Sequence, residues 1–359
     1  MSVTMKDIAE LTGVSRVVVS AVLNEAEYCR VSDAKRREIK EVANRLGFQR
    51  NFAAMQLRGN ATKTLAVFIN SVVRAEIIWQ LNQLFAPLGY RLYLTPLDDA
   101  APPSELQELV NEYLARGVDG ILLLWVSHSL NRRQLEVPVV EGFGPDGNSD
   151  VTIDVEAGAR LAAAHLLQHG HRQFALVCTN AGHIHNRRKL VGMLQAGIAP
   201  EAIRVIDLAD CPHPAETLTD AVRRHGISGI LTSNDYIAGK LLLLFRENNI
   251  AVPQDAAVIG FNGLAFSRFT QPTLTTVLEP AIALTEQAGQ LLLRKINKKP
   301  LPETPLILQP ELVLGESCGC RTEKLEEMDW NSTFVTLEKP ADGVAVPRQS
   351  TEWQPGKKP

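Results

Sequence analysis

The sequence predicts an all-α helix-turn-helix head joined to an α/β core of two lobes, each a doubly wound parallel sheet. Three observations predict it. The first 58 residues carry only short helical patterns separated by tight turns. From Thr64 onward, continuous apolar runs alternate with amphipathic segments, the pattern of parallel strands covered by helices on both faces. Eight such runs lie between residues 65 and 261, more than one sheet usually holds, and they divide near residues 155–160.

In the head, Met5–Leu11 reads as a helix with Ile8, Ala9 and Leu11 apolar, and Thr4 with Asp7 makes a capping-box start. Gly13 supplies the turn residue that tolerates positive φ. Ser15 can cap a second helix whose apolar face includes Val18, Val19, Val22 and Leu23. Its β-branched run is weak helix material alone, so tertiary packing must hold it. Ser32 caps a third helix, Asp33–Leu46, with Ile39, Val42, Ala43 and Leu46 inward and Lys35, Arg36, Arg37 and Lys40 largely outward.

In the core, the strand runs are 65–69, 91–94, 120–125, 137–140, 174–178, 203–206, 229–233 and 256–261. Amphipathic helices such as Glu76–Leu88, Ser104–Arg116, Glu156–His169, Ala215–His225 and Tyr236–Asn248 lie between them. A strand at Thr273–Val277, a helix at Pro280–Ile296 and a single strand at Leu306–Leu314 follow. After Cys320 the apolar period ends and four prolines appear, so residues 321–359 read as a disordered tail.

Charge separates the two parts. The chain of 359 residues has a formal net charge of −3. Residues 1–60 hold ten basic and seven acidic side chains, and residues 28–58 hold eight and three. A basic head on an acidic body points to a polyanion-binding module joined to something else. No run reaches the ~18 apolar residues of a membrane span. The N-terminal segment places Lys6, Asp7 and Glu10 where a signal peptide would be apolar, so a cytoplasmic protein is expected. Five scattered cysteines argue for free thiols in a reducing compartment.

The head also resembles a known family. Residues 4–24, TMKDIAELTGVSRVVVSAVLN, and 31–48, VSDAKRREIKEVANRLGF, resemble the N-terminal signature of LacI/GalR (lactose/galactose repressor) transcriptional regulators. The likeness is dense over residues 4–58 and looser over 62–315. It implies a helix-turn-helix domain at 1–48, a hinge at 49–62 and a two-lobed, periplasmic-binding-protein-like effector and dimerisation domain at 63–320. It places Arg16, Val17 and Ala21 on the exposed, base-reading face of the second helix. Arg16 can donate a bidentate pair to guanine, worth about 1–3 kcal/mol of discrimination, while Val17 offers only apolar contact. Thr4, Ser15, Ser20 and Asn24 suit phosphate contacts that set register, with capping as a shared role for Thr4 and Ser15. In the hinge, Asn51 joins the DNA contacts and Leu57 occupies the position of a minor-groove wedge. Arg50 stands where the family has proline, and Met55 where it has arginine. An ordinary linker with Leu57 packed on its own domain is the alternative.

Ligands of open α/β lobes sit beyond the carboxyl ends of the strands. That rule brings forward Asn70 and Ser71; Trp125 and Ser127; Asn180, His183, His185 and Arg187–Lys189; Asn234 and Asp235; and Asn262. Amides and carboxylates beside one aromatic plane suit a polyhydroxylated ligand. The resemblance favours Ser233–Gly239 and Gly260–Asn262 as sugar-binding segments, with Asp235 alternatively an N-cap. Lys189 stands where the family's effector arginine is expected, a point charge in place of a planar fork.

Other patterns carry less. Gly142-Phe143-Gly144-Pro145-Asp146-Gly147 satisfies GxGxxG, but a dinucleotide site needs its last glycine to open a helix, and this segment reads as a turn. His165 and His169 have the i,i+4 spacing of metal ligands, yet read as an ordinary helix end, and Cys318 and Cys320 as free thiols. No metal, cofactor or catalytic constellation is expected. The sequence therefore points to a DNA-binding transcriptional regulator, not an enzyme: a homodimer on near-palindromic operator DNA, controlled by a small effector, a sugar by the cleft's chemistry. A sugar-processing enzyme with an appended DNA-binding head is the alternative.

Overall fold

The computed structural model describes residues 3–23, 29–48, 61–70, 75–98, 102–128, 130–144, 149–303 and 305–320. Asn24, Asn51, Leu57, nearly all of the 49–62 hinge and the 321–359 tail lie outside the described residues. The chain forms two units, which divide between Thr62 and Lys63.

The first unit holds helices α1 (Met5–Thr12), α2 (Arg16–Leu23) and α3 (Asp33–Arg45). The N–H and Oγ1 of Thr4 both donate to Asp7 Oδ2, at 2.7 and 2.8 Å, and fix the start of α1. Gly13 ends it at φ 65°. Ile8, Val19, Val22, Ile39 and Val42 meet in the core, so the three helices share one apolar centre. Of the apolar positions read for α1, Leu11 is 57% exposed, and Thr12 is buried instead, its Oγ1 donating to the Ile8 carbonyl at 2.7 Å. Lys35 Nζ donates to the Thr12 carbonyl, tying α3 across the turn.

The second unit contains two six-stranded sheets. The first lobe is built on β1 (Thr64–Asn70), β2 (Arg91–Leu97), β3 (Gly120–Leu124), β4 (Val139–Gly142) and β5 (Val151–Ile153). Helices α4 (Ala75–Phe85) and α5 (Pro103–Ala115) connect its strands. The second lobe uses β6 (Phe174–Cys178), β7 (Ile203–Asp207), β8 (Gly229–Thr232), β9 (Ala257–Asn262) and β10 (Thr275–Leu278). Its helices are α6 (Val155–Gln168), α7 (Ile184–Gln195), α8 (Pro214–Arg223) and α9 (Asp235–Glu247). Each sheet runs in the doubly wound order, β2-β1-β3-β4-β5 in one and β7-β6-β8-β9-β10 in the other, all parallel. The order reverses at β1/β3 and at β6/β8, and these switch points open a crevice at the carboxyl ends.

The C-terminal part differs from expectation. The single strand read at Leu306–Leu314 is two strands, β11 (Leu306–Leu308) and β12 (Glu311–Val313), in different sheets. β11 pairs parallel to β5 in the first lobe, whereas β12 pairs antiparallel to β10 in the second. Pro310 lies between them and lacks the N–H a continuous ladder needs. Before this, α10 (Ala281–Ile296) has returned the chain to the first lobe, where it packs on α4 and β4. The chain thus passes between the lobes three times, so their separation is not a single cut near residue 155.

Candidate functional site

In the head, α2 presents Arg16 and Val17 outward, with Val17 70% exposed. Ser15 Oγ accepts from the Val18 N–H at 3.3 Å, a capping contact. Thr4 is exposed and Ser20 half-buried. Ala21 corrects the expectation: it is 4% exposed and not on an open face. At about 100° per residue, Ala21 stands about 140° around α2 from Arg16, so the face that projects Arg16 is not the one that carries Ala21.

In the core, the strand ends converge on a cavity of about 400 Å³ between the lobes. That size falls in the usual range for small-molecule sites, roughly 300–1,000 Å³. Asn70 ends β1 and Trp125 follows β3 at the first switch point; Thr179, Asn180, Ser233 and Asn234 follow β6 and β8 at the second. Ser127, His183, His185, Lys189 and Asn262 line it too, as expected from sequence; Arg187 and Arg188 do not, and Ser71 lies outside the described residues. Trp125, Phe143, Asn180 and Asn262 all sit at positive φ, between 54° and 101°. Asparagine tolerates this backbone region, but for Trp125 and Phe143 it is costly, and two such residues on one cavity mark the strain that gathers at functional sites.

One wall is aromatic. The Phe143 and His185 rings stack at 4.1 Å with 3° between planes, and Trp125 lies 6.5 Å from Phe143. Burial holds His185 neutral, its pKa lowered to about 2, with the charge of Lys189 adding to the effect. Its Nδ1 is buried with no hydrogen-bond partner, a polar atom left for whatever enters. The lining is also rich in amides, with Asn186 donating to the carbonyls of Thr179 and Asn180 at 3.0 Å.

Lys189 is 4% exposed, its Nζ 4.2 Å from the centre of the Phe261 ring. Burial lowers its pKa to about 8, partly offset by the Glu279 carboxylate. Glu279 is itself buried and accepts from Asn262 Nδ2 at 2.8 Å. The two opposite charges leave the cavity close to neutral.

Asp235 is a second correction. It lines no part of the cavity: its exposure is 0%, and Oδ2 accepts from the Leu264 N–H and Oδ1 from Thr276 Oγ1, both at 2.6 Å. The expected capping role also falls elsewhere, on Asn234, whose Oδ1 accepts from the Ile237 N–H at 2.9 Å. Asp235 points from the first turn of α9 into the sheet. A side chain at Gly260 would stand 2.1 Å from its Oδ1, so glycine there makes room for the carboxyl.

Tyr236, within the expected Ser233–Gly239 segment, lines the cavity, as do Phe143 and Glu279, which were not assigned to it from the sequence. The strand-end rule finds the latter two once applied to every run: Phe143 follows β4, and Glu279 follows β10.

Comparison with known proteins places this geometry. Residues 4–51 match the model of bacterial regulatory proteins of the lacI family, and residues 163–318 match a periplasmic binding protein-like domain. The HTH-type transcriptional repressor PurR of Glaesserella parasuis is 29% identical over 339 residues, 88% of this chain and 98% of its own length. A lac repressor dimer bound to operator and an anti-inducer has the same fold, with TM-score 0.74 and 23% identity over 89% of this chain and 99% of its own. The regulator CelR in complex with cellobiose aligns at TM-score 0.61 and 23% identity, over 88% and 99%.

Proposed function

We propose that this chain, a member of the lacI family of bacterial regulatory proteins, is a transcriptional repressor whose affinity for operator DNA is set by a neutral sugar bound between the core lobes. The cavity at the two switch points carries the ligand half of this reading. It offers an aromatic wall for the apolar face of a pyranose or furanose ring and an amide-rich rim for its hydroxyls. Lys189 and Glu279 cancel in charge, which favours a neutral ligand over a phosphorylated one. Structural neighbours with cellobiose or ribose bound share this architecture.

Arg16 and Val17 are the readers in the major groove, and Thr4, Ser15, Ser20, Asn24 and Asn51 the backbone contacts that fix register. Leu57 is the apolar wedge of the hinge over 49–62. The working form is a homodimer on a near-palindromic site, because a twofold protein matches a twofold operator. The protein acts in the cytoplasm and regulates without turning over its ligand. Ligand binding selects one lobe arrangement, and only a difference in DNA affinity between the two arrangements transmits the signal.

The ligand half is tested by thermal shift of the full chain against neutral mono- and disaccharides, with their phosphates alongside. A neutral sugar should raise the melting temperature with concentration. Lys189→Met and Trp125→Ala should remove that rise. A response confined to anionic ligands, or one that survives both substitutions, would overturn the neutral-sugar assignment.

A further inference from the structure

A second cluster of ligand-type atoms lies outside the cleft. His165 and His169, one turn apart at the C-terminal end of α6, turn their rings toward one another at 4.5 Å between centres. The turn that ends the described chain brings Cys320 against both. Its Sγ is 3.6 Å from His165 Nε2 and 3.6 Å from His169 Nε2. All three donor atoms fall within 4.8 Å of one another. A second sulfur, Cys318 Sγ, lies 3.2 Å from His165 Nε2.

These separations have a chemical meaning. Zinc bonds of about 2.3 Å to sulfur and about 2.0–2.1 Å to nitrogen, at the tetrahedral angle, hold an S and an N ligand about 3.5–3.6 Å apart. Both Cys320–histidine distances match that edge. Imidazole nitrogen with thiolate sulfur is also the donor set that borderline divalent ions take in preference to oxygen-seeking ones. The turn is shaped for the approach: Gly319 has φ 95°, and a side chain there would stand 3.5 Å from His169 Nδ1. His169 does cap α6, as its place in the sequence suggests, but its ring is turned to a sulfur 151 residues away.

We propose that His165, His169 and Cys320 bind a divalent ion of the zinc class, with the Cys318 sulfur beside it. The ion ties the chain after β12 to the end of α6, across a loop of more than a hundred residues. It therefore stabilises the second lobe by an amount that depends on metal concentration.

The test uses the full-length, untagged chain, reduced and stripped of metal, titrated with Co²⁺. One equivalent should bind with a sulfur-to-cobalt charge-transfer band, Zn²⁺ should displace it, and Zn²⁺ alone should raise the melting temperature. Cys320→Ser should lose the band and His169→Ala should weaken binding by about tenfold or more. Cys211→Ser, at a thiol elsewhere in the lobe, should leave the spectrum intact. Metal-free melting of each variant reports its folding separately. Absence of the band in the wild type, a band that survives Cys320→Ser, or unchanged affinity in His169→Ala would overturn the site.

Discussion

At Asp235 a carboxyl group is enclosed completely, and burial raises its pKa to about 7 against the opposing hydrogen bonds from Thr276 and Leu264. The folded state then holds a proton that the unfolded chain releases near pH 4. Its contribution to stability is full below that pH and is lost as pH rises through about 7. Asp235→Asn removes the titration and keeps the shape, so urea unfolding of the variant should lose this fall between pH 4 and 7. Parallel pH profiles for the two proteins would show that the carboxyl is ionised when folded. Lys189 carries the opposite lesson, since burial penalises its charge, a cost that the proposed function assigns to ligand binding. Lys189→Met should make the ligand-free protein more stable by about 1–3 kcal/mol while abolishing the sugar response. Reduced stability on denaturant titration would mean that the lysine–Glu279 attraction exceeds the desolvation of the charges. Asn70, Trp125, Asn180, Asn234 and Asn262 line the cavity as expected because strand ends are visible as the ends of apolar runs. Asp235 also follows such a run, but which side of α9 its first residue faces depends on the helix's setting against β9. Sequence spacing does not report that setting.

Elements were legible wherever one local signal dominated. The fully buried β1, β3 and β6 read as apolar runs, and α6 and α10 as periodic helices, close to their observed limits. The break between β11 and β12 is marked in the sequence by Gln309-Pro310 between two apolar runs, but only pairing partners far along the chain assign the two halves to different sheets. Helix–helix contact was equally invisible. Gly192 in α7 lies against α6, and a Cβ there would stand 2.3 Å from the Glu156 carbonyl oxygen. Backbone cannot yield as a side-chain tip can, so Gly192→Ala must push the helices apart. It should cost about 1–3 kcal/mol in urea unfolding. Because α7 carries Asn186 and Lys189 into the cleft, sugar affinity should fall as well. An unchanged unfolding midpoint would show that the two helices are not locked at this contact.

At the scale of the whole molecule, the proposed function links a DNA-reading head to a sugar-reading core by a difference in free energy alone. The head's part is separable. Arg16→Ala should weaken binding to a selected operator by about 1–3 kcal/mol and relax preference at one base pair in each half-site, with sugar binding untouched. An unchanged preference in a randomised-site selection would remove Arg16 as a reader. The joining itself is tested most directly by the operator dissociation constant, measured at fixed salt with and without a saturating amount of the sugar that stabilises the core. Coupling of about 1–3 kcal/mol predicts a change of roughly 5–150-fold, and the sugar's own affinity must change by the same factor when operator is bound. An operator dissociation constant that stays the same at saturating sugar would contradict the account.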